Sequence, residues 1–183
     1  MPPLPALEKL HERHRGLVQE VAAYYALAAA VCLSKHHIAP VPVRVSAEQR
    51  ADAEYLATWP AVTLDQIGAM DNDDDATRDG AYAVVLAAAE AHLGLVAIRR
   101  AKQKTGCDYY VAPAANACAK DPELNLEDAV RLEVSGIDRG NESEVRTRLR
   151  QKVEQAMAGK SNLPAMAGVV AFSSRRIAFR EAK

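Results

Sequence analysis

Large aromatic side chains are scarce. Two phenylalanines, one tryptophan and six tyrosines serve 183 residues, 5% of the chain. Alanine fills much of an apolar share of 49% instead. Small side chains let elements approach closely, so this composition points to tight helix packing. The same apolar share excludes a disordered chain. Charge of one sign is also missing: a formal net charge of −1 leaves no global nucleic-acid footprint. An anionic partner would need a local basic patch or a metal.

Long hydrophobic runs are absent too. The longest, Val21 to Leu33, is too short to span a bilayer and follows Gln19 and Glu20. It also lies too far from the start to read as a signal peptide. Cysteine is limited to Cys32, Cys107 and Cys118, with no CxxC spacing. This pattern points to reduced thiols in a cytoplasm, buried as small hydrophobes. No GxxxxGK[ST], GxGxxG or GxSxG motif occurs, which removes support for phosphate-cradling loops and a serine nucleophile elbow. His11 and His14 share a helical face, but no further ligands are spaced to close a zinc site, so they read as surface histidines. "DNDDDATRDG" fails as a calcium loop: counted from Asp71, its sixth and twelfth places hold Ala76 and Tyr82. It reads instead as an acidic helix start.

What is present is periodicity. Residues 6 to 34 form one long predicted helix with Leu10, Leu17, Val21, Tyr24, Leu27 and Val31 on its apolar stripe. "SAEQ" at 46 to 49 resembles a capping box and predicts a second helix from Ala47 to Thr58. A third spans Ala76 to Leu93 and ends at Gly94. The period then changes. "LVAIRRA", "CDYYVA" and "AVRLEVSG" read as three strands, the first two a hairpin. "NESEVRTRLRQKVEQAMAG" reads as a helix capped by Asn141 or Ser143 and closed by Gly159. "AMAGVVAFSS" and "RRIAFREA" are two last strands. The chain is thus α/β (α+β), a mixed β-sheet core with flanking helices in αβββαβ-like order. The division is an N-terminal helical region at 1–70 and a core at 71–183.

Two acids stand out in the strands. Asp108 follows Gly106 by two residues, and Glu133 precedes Gly136 by three. Side chains alternate along a strand, so Arg131, Glu133 and Ser135 share one face and Leu132 and Val134 the other. If neighbouring strands present both acids on one surface, their oxygens suit a hard divalent cation. A structural reading competes: an Asp near a glycine often makes a turn, and a strand Glu pairs with arginine.

The order helix–β–β(Asp)–β(Glu)–helix–β over residues 76 to 180 resembles the core of the PD-(D/E)xK nuclease superfamily, the restriction-endonuclease-like fold. The resemblance implies that Asp108 and Glu133 hold Mg²⁺ or Mn²⁺, that Glu90 on the preceding helix is the optional third acid, and that Gln151, Lys152 and Gln155 flank the site. The lysine expected two residues after Glu133 is replaced by Ser135, which carries no charge. Arg131, Lys152 or Lys104 would have to supply the cation. The implied activity is metal-dependent cleavage of DNA, in a setting such as bacterial defence or a mobile element. The alternative is a catalytically inactive nuclease-fold subunit that binds nucleic acid, or that docks a partner protein or a second copy through its alanine-rich N-terminal helices. No membrane partner is expected.

Overall fold

The computed structural model describes residues 1–102, 105–115, 126, 129–158 and 161–182. Lys104, Cys118 and Gly159 lie outside them. Four α-helices and seven strands follow in the order α1 (Gln19–Ser34), β1 (Val41–Ala47), β2 (Arg50–Ala57), α2 (Leu64–Ala69), α3 (Asp73–Ala88), β3 (Leu95–Arg100), β4 (Tyr109–Pro113), β5 (Val130–Ile137), α4 (Glu142–Met157), β6 (Ala165–Ala171) and β7 (Arg176–Ala182). A 3₁₀ turn at Leu7–Glu12 precedes α1, and a π-turn at Ala89–Leu93 prolongs α3.

All seven strands join one sheet in the order β2-β1-β7-β6-β5-β4-β3. Strands β3, β4 and β5 form the expected antiparallel meander. Helix α4 then crosses over and delivers β6 parallel to β5, and β7 returns antiparallel. The mixed sheet with flanking helices is therefore present, with α3 as the helix before the meander. No helix among the described residues is long and apolar enough to cross a membrane.

The scarcity of rings is answered by α3. Its residues Gly80 to Ala88 are all buried, between α1 on one side and the sheet on the other. Gly80 is the contact with α1: a Cβ there would lie 2.9 Å from the Ala29 backbone. On the sheet side, a Cβ on Gly136 of β5 would collide with Thr77 O of α3. Alanine and glycine at these crossings set the distance between the layers.

Two helix expectations are corrected. Residues 47 to 58 are not a helix; they complete the β1–β2 hairpin, so the region 1–70 is not wholly helical. Val41, Val43 and Val45 are buried on alternate positions, and β1 pairs with β2 and β7 at once. Two ladders outweigh the helical propensity of Ala47, Glu48 and Ala51. The capping box is instead made by Thr63 and Gln66 at α2.

The long helix from Ala6 to Ser34 also breaks, between Arg13 and Val18. Gly16 N–H donates to Ala97 O at 2.9 Å, and Ala97 N–H donates to His14 Nδ1 at 2.9 Å. Edge strand β3 thus takes these residues as a short partner, which satisfies groups that an edge leaves open. His14 is fully buried rather than at the surface. At the other edge, Leu4 N–H donates to Leu56 O and Leu56 N–H to Pro2 O, at 2.9 and 2.8 Å. Laid flat, seven strands would separate these edges by about 29 Å. Residues 4 to 14 link them through the 3₁₀ turn, so the sheet is curled, with α3 against its inner face.

Candidate functional site

Asp108 and Glu133 meet where β4 stops and β5 runs on. The β4–β5 ladder covers only Tyr109–Val111 against Leu132–Val130. Beyond Leu132, strand β5 has lost this partner. The Asp108 N–H donates to Leu132 O at 2.8 Å, and the Asp108 carboxylate accepts Val134 N–H at 2.9 Å. Its Oδ2 thereby takes the place of a missing ladder acceptor. Oδ1 accepts the Tyr82 hydroxyl from α3 at 2.8 Å. The Arg100 guanidinium donates to Tyr82 Oη at 3.1 Å and stands 3.5 Å from Asp108 Oδ1. It lies over the rings of Tyr82 and Tyr109, 4.5 and 4.6 Å from their centroids, a cation–π arrangement that fixes it in place.

Glu133 stands beside Asp108, near enough for the Asp108 charge to act on it, and is 5% exposed. Burial pushes its carboxyl above the usual range, and the neighbouring Asp108 charge pushes the same way. Lys152, from the flank of α4, opposes both: its ammonium donates to Glu133 Oε1 at 2.9 Å and to Gln155 Oε1 at 3.1 Å. Asp108, held from the α3 side by Tyr82, and Glu133, held from the α4 side by Lys152, thus flank a notch at the β4–β5 split. Among the described residues, no group of three or more acidic, histidine or cysteine side chains could hold a metal. The cluster offers two carboxylates.

The other expected residues are placed elsewhere. Arg131 is buried, and its donors go to main-chain oxygens: Ala156 O at 2.9 Å, Leu163 O at 3.2 Å and Thr105 O at 3.4 Å. A guanidinium at the carbonyl end of α4 favours the helix dipole and ties α4 to β5. Of the cations named from sequence, Lys152 is the one joined to the acid pair among the described residues. Glu90 is not in the notch. It lies eight residues past Tyr82, about 12 Å along a helix. It accepts Arg13 Nε at 2.6 Å and His14 Nε2 at 3.1 Å. Because His14 Nδ1 accepts from Ala97, the ring hydrogen is on Nε2 and points to Glu90. Burial raises the Glu90 carboxyl, but these two donors outweigh it and hold it below its ordinary value.

Tyr82 and Arg100 were not anticipated from the sequence. The one signal for Tyr82 is a large polar ring in an otherwise alanine-rich helix. Cys107 adjoins the notch, but burial pushes its thiol up, so it is no ready nucleophile. Cys32 is pushed up to about 11 for the same reason. Tyr82→Phe keeps the ring and deletes the donor to Asp108. It is expected to cost about 2 kcal/mol, read as a lower urea midpoint at unchanged slope.

No known protein family, curated protein or solved structure matches the chain.

Proposed function

We propose that the protein is a metal-dependent phosphodiesterase of the nuclease type acting on DNA. Asp108 and Glu133 would hold Mg²⁺ or Mn²⁺, and Lys152 would be the catalytic cation that Ser135 is not. The observation that carries this reading is that Asp108 stands beside Glu133 while the Lys152 ammonium is bonded to Glu133. The donor set fits: a hard ion is commonly held by one or two carboxylates, the remaining places going to water and phosphate oxygens. Asp108 and Glu133 would hold such an ion, and the chemistry it would supply is polarisation of a phosphodiester and a lowered pKa of a water. The chain's own groups do the rest. Tyr82 and the Val134 N–H fix both oxygens of Asp108. Lys152 neutralises Glu133, and its positive charge faces the place where negative charge would build on phosphate oxygens.

The test is a cleavage assay with Mg²⁺ or Mn²⁺ on single- and double-stranded DNA and on RNA. Cleavage of DNA is expected, and its loss in Asp108→Ala. Cleavage that persists in Asp108→Ala would overturn the site, and cleavage confined to RNA the substrate.

A second reading has its own support. Glu133 is almost buried and both Asp108 oxygens already have donors, so the cluster also serves as a plug for the split between β4 and β5. In that reading the chain is an inactive nuclease-fold subunit. The alanine face of α1 is not the surface with which it would dock: Ala22 and Ala28 to Leu33 are buried, and α1 packs on α3.

A further inference from the structure

A cavity of about 650 Å³ lies on the other flank of α4. At 100° per residue, Arg146 and Arg150 project to one side of the buried stripe of Val145 and Leu149, while Lys152 and Gln155 project to the other. The cleft runs between that first flank and the uncovered face of β7 and β1. Its walls carry Arg44, Arg146, Arg150, Arg176 and Arg180 against Glu48, Asp52 and Glu142, an excess of two positive charges.

The arginines are set as no purely structural need requires. Arg44 and Arg176 stand directly opposite each other across the β1–β7 ladder. Like charges in that position cost stability. Arg180 follows on the same face of β7. The carboxylates that offset them are shared or exposed. Glu142 serves both Arg146 at 3.4 Å and Arg176 at 3.2 Å. Asp52 holds Arg44 at 2.8 Å, and Glu48 holds Arg180 at 3.1 Å. Arg150 has no acidic partner among the described residues. Exposed pairs of this kind contribute little, whereas a phosphate accepts two parallel bonds from each guanidinium.

We infer that this cleft is a binding site for a small ligand carrying two or more phosphate groups, separate from the carboxylate notch. Its volume is in the range of small-molecule sites. Five guanidiniums converge there on a space only one such molecule fills. The three carboxylates in its walls oppose a long polyanion, which would have to pass all of them. Val145, Leu149 and Ala178 line the same space and offer an apolar surface to the rest of the ligand.

The probe is inorganic tripolyphosphate, titrated calorimetrically into the full chain at low salt without divalent metal. Saturable binding at one site per chain is expected, weakening as salt rises. Arg150→Gln and Arg176→Gln should each lower the affinity about tenfold or more. Glu142→Gln should raise it, because the competing acceptor is gone; a merely structural Glu142 would not. Asp108→Ala should leave it unchanged, so the cleft and the notch stand or fall separately. No saturable binding, or an affinity unchanged from the parent chain in both arginine variants, would overturn the inference. So would a single-stranded oligonucleotide that binds more tightly through the same arginines.

Discussion

Glu133→Gln is expected to lower metal-dependent cleavage about a thousandfold, some 4 kcal/mol of transition-state stabilisation, and at the same time to make the fold more stable. Glutamine keeps the shape and can still accept from Lys152. It can also donate to Asp108, which turns a repulsive contact into a hydrogen bond. A gain of about 1 kcal/mol is expected above neutral pH. The pH dependence gives the sign. Glu133 in the folded chain binds its proton more tightly than in the unfolded chain, since burial and Asp108 raise it. Its contribution is therefore best at low pH and declines as pH rises from the ordinary glutamate value through the folded one. The Gln variant lacks that decline. Its advantage should vanish in acid and level off once Glu133 is fully ionised in the parent. A residue kept for packing would behave oppositely: its replacement would destabilise at every pH. Thermal melts across pH, beside the cleavage rate, separate the two.

Gly136→Val should be the most damaging single change to the fold, at about 3 kcal/mol or more. Strand β5 has no side chain at this point because α3 lies on it, with Thr77 O and the Ala81 methyl in the space that a Cβ would take. Neither neighbour can step aside, since α3 is held from behind by α1 at Gly80. Valine would force α3 off the sheet and move Tyr82 with it, so the Asp108 contact would loosen too. A urea titration should show the loss with no dependence on pH, unlike that at Glu133.

The strands after Gly94 were legible because short apolar runs are bounded by glycine, proline and polar turns. So was α4, whose Asn141 and Glu144 form a reciprocal cap. Residues 41 to 57 were not, because "SAEQ" reads as a helix cap and one of the two partners of β1, strand β7, lies more than a hundred residues away. The break at His14 to Gly16 was hidden likewise: it exists because β3 needs an edge partner. At the site, Asp108 and Glu133 could be paired by eye from strand position. Lys152 was one of several cations on paper, and geometry separates it from Arg131, which is spent on main-chain oxygens. Glu90 fits the spacing of a third acid, yet its donors come from the segment before α1, a contact that no local pattern announces.

Asp108 and Glu133 are proposed to grip one divalent ion together. Titration of Mn²⁺ into the full chain, with free Mn²⁺ followed by electron paramagnetic resonance, tests it without any substrate. One bound ion per chain is expected, lost in Asp108→Asn and in Glu133→Gln. Binding by both variants as strong as by the parent chain, or no binding by the parent chain, would contradict it.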